Sequence, residues 1–159
     1  MPVTQLPAAA RAATPWRNGG GLTREVARTD FSRVSLAEIE ADGPFSLFPD
    51  CHRVFTVVAG DGVELTVDGA APVRIGPLQP FAFSGSATTG ARLLGGPVTV
   101  LNLITRHPGA GVDLHPGPEL RPAPGHPLLA VALDGYDALL VGAPDTAPLP
   151  PGRQAVVTL

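Results

Sequence analysis

The stretch His52-Arg53-Val54-Phe55-Thr56-Val57-Val58-Ala59-Gly60-Asp61-Gly62-Val63-Glu64-Leu65-Thr66-Val67-Asp68-Gly69 reads as β structure twice over. Its first eight residues are rich in β-branched and aromatic side chains, the composition of a strand. Gly60-Asp61-Gly62 interrupts them, Val63 to Val67 resumes the pattern, and Asp68-Gly69 marks the next turn. Two apolar runs around a glycine-rich break carry the signature of a hairpin. Alternation places Arg53, Phe55 and Val57 on one face, and His52, Val54, Thr56 and Val58 on the other. Both faces are largely apolar, so the strand is expected to be covered on both sides.

Working outward, further strands are predicted at Leu22–Arg28, Arg33–Glu40, Val73–Ile75, Phe81–Ser84, Arg92–Leu94 and Val98–Arg106. Glu25-Val26-Ala27 and Leu36-Ala37-Glu38 fit a helix equally well. From His107 to Pro127 prolines crowd together, and proline is kept out of central strands, so this reads as a connection. Beyond it, Leu128–Leu133, Ala138–Val141 and Ala155–Leu159 read as short strands. Nineteen glycines and nineteen prolines, almost a quarter of the 159 residues, fit many short strands joined by turns. The expected fold is all-β and antiparallel, a sandwich or barrel in one domain.

Composition excludes several kinds of chemistry. The net charge is −3 and the eleven cations are scattered arginines, which argues against a nucleic-acid surface. With no lysine there is no Schiff-base chemistry. Cys51 is the only cysteine, so intramolecular disulfides and the usual thiolate zinc sites are out. Met1 to Ala13 makes a poor signal peptide, and no apolar run approaches membrane-spanning length. A cytoplasmic protein with no membrane partner is expected.

Pro15-Trp16-Arg17-Asn18-Gly19-Gly20-Gly21 sets three glycines beside the chain's only tryptophan. It is not a phosphate loop, which needs a lysine at fixed spacing. A tight loop entering a strand is the plainer reading. Arg53 is costly to bury alone and needs an anionic partner. Either an internal carboxylate, from Glu25 or Asp42, or a ligand carboxylate bound through two parallel hydrogen bonds would serve. On the strand from Val98, Asn102 lies between apolar neighbours on its own face, and its amide needs partners from the backbone or a ligand. His107, His115 and His126 each precede proline, and no H-x-H or H-x-x-x-H spacing occurs. Cys51 and His52 point to opposite faces and form no dyad.

Five ordered blocks then point to a family. They are Pro15–Gly21 with Thr23 and Glu25; Arg33-Val34-Ser35-Leu36-Ala37; Asp42–Pro49 followed by Arg53 and Gly60-Asp61-Gly62; Leu78–Gly85; and Gly96-Pro97-Val98 through Asn102 to Thr105-Arg106. Together, over Pro15 to Arg106, they resemble the HutD/Ves family of bicupins.

The resemblance implies a cupin-type antiparallel β-barrel with a shortened C-terminal half. The whole chain, 1–159, would be one bicupin unit, with an N-terminal half at 1–107, a Pro/Gly-rich connection at 108–127 and the C-terminal half at 128–159. HutD members are associated with bacterial histidine utilisation, as proposed governors that bind an intermediate such as N-formylglutamate or urocanate. Metal cupins carry H-x-H, then a glutamate, then a glycine seven residues on. By that likeness Arg53 takes the glutamate place before Gly60, and Ser46 and Phe48 take the histidine places.

The expected function is that of a metal-free cupin without cofactor, which binds a small carboxylate and acts as a sensor or regulator of histidine utilisation. Arg53 would grip the carboxylate and Asn102 would read a polar group. Phe83 or Phe45 would line the pocket, with Trp16 and Asn18 closing or bracing its mouth. The rival is a metal-independent isomerase, epimerase or lyase with Glu25 and His52 as its acid/base pair. A third reading is a scaffold whose barrel is filled by side chains. Barrels of this class often pair, which allows a homodimer.

Overall fold

The structure, a computed structural model, describes residues 3–159. Eleven strands run from the start of the described chain to the proline-rich segment. They are β1 (Thr4–Leu6), β2 (Thr14–Pro15), β3 (Gly21–Arg28), β4 (Ser32–Ile39), β5 (Gly43–Pro44), β6 (His52–Ala59), β7 (Val63–Val67), β8 (Val73–Ile75), β9 (Phe81–Ser84), β10 (Thr89–Leu93) and β11 (Val98–Thr105). Six follow: β12 (Gly111–Asp113), β13 (Glu119–Leu120), β14 (Leu128–Ala132), β15 (Ala138–Val141), β16 (Ala147–Pro148) and β17 (Gln154–Thr158). One 3₁₀ turn, Ala8–Ala10, is the only helical piece among the described residues, and no helix there is long and apolar enough to cross a membrane.

A six-stranded antiparallel sheet, ordered β2-β3-β4-β11-β6-β9, occupies the middle of the molecule. Its inner face packs on a four-stranded sheet, β5-β10-β7-β8, through Ile39, Phe55, Val57 and Val100 against Val63, Leu65, Ile75 and Ala91. Its outer face, with Val34, Leu36, Leu101 and Leu103, meets Leu129, Val131 and Val157 of the five-stranded sheet β1-β15-β14-β17-β12. A two-stranded ribbon, β13-β16, then covers Ala130, Val141 and Val156 with Leu120 and Ala147. This stacking explains why β6 is apolar on both faces. The four- and six-stranded sheets form a jelly-roll sandwich, packed face to face and not closed into a barrel.

The hairpin expected at His52–Val67 does not form. β6 pairs with β11 and β9, whereas β7 pairs with β10 and β8, so the chain crosses from one sheet to the other at Gly60-Asp61-Gly62. Gly60 (φ +98°) and Gly62 (φ +118°) hold this corner in backbone that side-chain-bearing residues rarely adopt. A Cβ on Gly62 would also collide with the Ile75 carbonyl oxygen. The hairpin lies one turn later, where β7 and β8 pair around Asp68-Gly69. The two ambiguous segments in β3 and β4 are strands.

The segment from His107 to Pro127 is more than a connection. β12 extends the edge of the five-stranded sheet and β13 pairs with β16. Both are so short, and so placed at edges, that neighbouring prolines interrupt no continuous ladder. The strand expected at Arg92–Leu94 is longer and begins at Thr89. The last strand starts and ends one residue earlier than expected.

Candidate functional site

Register brings the polar residues together. Across β3, β4, β11, β6 and β9, one row of facing residues runs Arg28, Arg33, Ile104, Arg53, Phe83. The next inner-face row runs Glu25, Ser35, Asn102, Phe55, Phe81. A bulge in β3 makes the first row possible, because pairing shifts between Glu25 and Ala27. Val26 and Ala27 both enter the outer core, and Glu25 and Arg28 both stay on the inner face. Seven residues of these rows, all but the three phenylalanines, floor a cavity of about 650 Å³ at one end of the jelly roll. Four arginines, Arg17, Arg28, Arg33 and Arg53, line it with a single glutamate, Glu25. In a chain of net charge −3, that is a local excess of positive charge.

Arg53 is only 5% exposed. Its guanidinium carbon lies 5.3, 5.2 and 5.0 Å from the ring centres of Phe45, Phe48 and Phe83. Nη1 donates to the Ser46 carbonyl at 3.2 Å, while Nε is buried with no partner. The two internal partners that the sequence offered are both engaged elsewhere. Glu25 Oε1 accepts from Arg28 at 2.7 and 3.0 Å and lies 3.8 Å from Arg33 Nε. Asp42 accepts from the Leu93 amide at 2.8 Å. Among the described residues, no carboxylate pairs with Arg53. Burial, and then the positive charge of Arg33, lower the Arg53 pKa to about 10.

Asn102, 7% exposed, faces the same cavity, and its buried Oδ1 has no partner. A buried amide oxygen left unpaired costs free energy. Phe45 lines the cavity and stacks on Phe55 at 5.7 Å. Phe83 lies behind Arg53 and lines no part of the cavity. Trp16 stands at the rim, half-buried, its indole N–H donating to Thr23 Oγ1 at 2.8 Å and its ring edge-on to Phe45. Asn18 Oδ1 accepts from the Gly20 amide at 2.8 Å, so this side chain braces the loop. A Cβ on Gly21 would collide with the Glu38 carbonyl and press on the indole at 3.2 Å, which accounts for a glycine there.

Glu25 and His52 are not brought together. His52 pairs with Ser84 and Thr105 at the exposed end of β6 and points to the outer side, away from the cavity that Glu25 lines. Arg28, Arg33 and Arg17 escaped the sequence reading. Strict alternation separates Arg28 from Glu25, and only the bulge reunites them.

Metal cupins imply a metal here, and the residues do not fit one. By the likeness to metal cupins, the places of two histidines and a glutamate fall at about Ser46 and Phe48 and at Arg53, and a guanidinium repels a cation. Among the described residues, no group of three or more His, Cys, Asp or Glu side chains is placed to hold an ion.

The family model for HutD matches residues 8–121. An uncharacterised 21.2 kDa protein in the hutC 3′ region of Pseudomonas putida is 42% identical over 97 residues, 57% of this chain. That match spans 51% of the relative, so the chain accounts for about half of the curated protein's length. The structure of HutD from Pseudomonas fluorescens SBW25, in a formate condition, superimposes with a TM-score of 0.82 and 29% identity. It covers 98% of this chain and 97% of that one. The Schizosaccharomyces pombe Cnp3 cupin domain, 11% identical with a TM-score of 0.51, covers 61% of this chain and 69% of that one, a likeness of fold alone.

Proposed function

Because the chain belongs to the HutD family, we propose that it is a metal-free cupin that binds a small carboxylate metabolite and acts as a sensor or regulator of histidine utilisation. One observation carries this reading: a buried arginine without a carboxylate partner, set in a cavity where four arginines face one glutamate. A carboxylate seated against Arg53 would accept from two of the N–H groups at the terminal end of its guanidinium, the two-pronged geometry that guanidinium favours. It would also relieve the repulsion between Arg53 and Arg33. The Asn102 amide, which lines the cavity, would hydrogen-bond the rest of the ligand. The Pseudomonas putida relative's place beside hutC supports the histidine-utilisation context. Binding is favoured over catalysis, since the acid/base pair that an isomerase or lyase would use is not assembled.

Calorimetry with small dicarboxylates and histidine-degradation intermediates tests the reading. Saturable binding by at least one of them is expected, and no binding by any would refute it. The Arg53 pKa adds a pH dependence with a definite sign. Carboxylate binding needs the charged guanidinium, and the free protein releases that proton near pH 10. Affinity should be flat from about pH 7 to 9 and then fall by about tenfold per unit above about 10. Titrations from pH 7 to 11, with circular dichroism to verify folding, check this; affinity unchanged at pH 11 would contradict it.

The metal-free assignment has its own test. Elemental analysis of the purified protein is expected to find no stoichiometric iron, manganese, zinc or nickel. One such ion per chain would overturn it.

A further inference from the structure

Around the cavity rim, the polar groups of the loop from Trp16 to Gly20 hold the loop itself. The Trp16 amide donates to the Gly21 carbonyl at 2.8 Å and the Gly19 amide to the Trp16 carbonyl at 3.1 Å. The Gly20 carbonyl accepts from the Glu40 amide at 2.9 Å, and the indole N–H and the Asn18 side chain are also engaged. The Arg17 side chain takes no part in this bonding. It lines the cavity and is exposed, and among the described residues it makes no hydrogen bond or salt bridge. An ordered loop thus presents a free guanidinium at the rim, while Arg53 waits at the buried wall. The two are linked through packing, because Trp16 rests edge-on against Phe45, whose ring centre is 5.3 Å from the Arg53 guanidinium.

Charge favours more than one anionic group in the cavity. Glu25 neutralises one of the four arginines, chiefly Arg28. Three positive charges remain, and a single carboxylate would leave two unmatched. Resting on the reading of Arg53 as carboxylate anchor, we infer that Arg17 is a specificity residue that reads a second anionic group, so that the preferred ligand is a short dianion with an acid group at each end. Arg53 takes the buried end and Arg17 the end nearest solvent.

The test compares α,ω-dicarboxylates from malonate to adipate with monocarboxylates of matched length, by calorimetry at one fixed ionic strength. Wild type should bind its best dicarboxylate at least tenfold more tightly than the matching monocarboxylate. Arg17→Gln should lower that preference to about twofold or less, with the loss falling chiefly on the dicarboxylate. Arg17→Lys should keep most of the preference, since an exposed rim charge acts as a point charge. Equal wild-type affinity for both series, or a preference that survives in Arg17→Gln, would overturn the Arg17 assignment and leave the Arg53 anchor standing. Binding of neither series by wild type would overturn both.

Discussion

Arg53→Ala is expected to abolish most carboxylate binding, a loss of about 2–5 kcal/mol, the range for removing one partner of a desolvated charged pair. In affinity that is roughly thirtyfold to several-thousandfold. Arg53→Lys should not restore it, because an ammonium on a flexible stem cannot reproduce the paired N–H donors. The same account makes a contrary claim about stability. With no carboxylate partner, the Arg53 charge is a burden on the unliganded fold. Arg53→Met, which keeps apolar stem among the three phenylalanines and removes the charge, should melt at the same temperature or higher. Were Arg53 half of an internal ion pair, breaking it would cost about 3–5 kcal/mol instead. Calorimetric titration and thermal melting of the three variants check both claims. Retained affinity in Arg53→Ala, or a strongly destabilised Arg53→Met, would contradict them.

Phe55→Ala should produce the largest loss of stability, about 3–5 kcal/mol. At about 2–4 °C per kcal/mol for a domain of this size, Tm should fall by roughly 6–20 °C. Phe55 is fully buried, stacks on Phe45 and shares the β6 inner face with Arg53 and Val57. It therefore joins the core between the two sheets to the floor of the cavity. Phe81 and Phe83 are only partly buried on the edge strand β9 and should cost less. A change under about 1 kcal/mol for Phe55→Ala in chemical denaturation would mean that the inner face is not the core described above.

The long strands were legible because their β-branched runs are buried on both faces, as in β6 and β11. What the local pattern could not show was the partner of each strand. Gly60-Asp61-Gly62 looks like a hairpin turn whether the chain folds back on itself or crosses to a facing sheet, and only the long-range pairing of β6 with β11 decides. Strands of two or three residues, such as β2, β5 and β13, are too short for alternation to register. The site was legible where burial conflicts with polarity. Arg53 and Asn102 stand out among apolar neighbours, and both face the cavity. Alternation failed at the β3 bulge, which hid Arg28. Phe83 shares a face with the cavity residues yet falls behind Arg53. Arg17 gives no such signal, because it lies in a glycine-rich loop without strand alternation.

The most direct measurement is a crystal structure of the protein with its tightest-binding carboxylate. One carboxylate should lie against Arg53, accepting from two guanidinium N–H groups, with the Asn102 amide within hydrogen-bonding distance of the ligand. A carboxylate bound elsewhere, with Arg53 left unpaired or paired to a protein acid, would contradict the account.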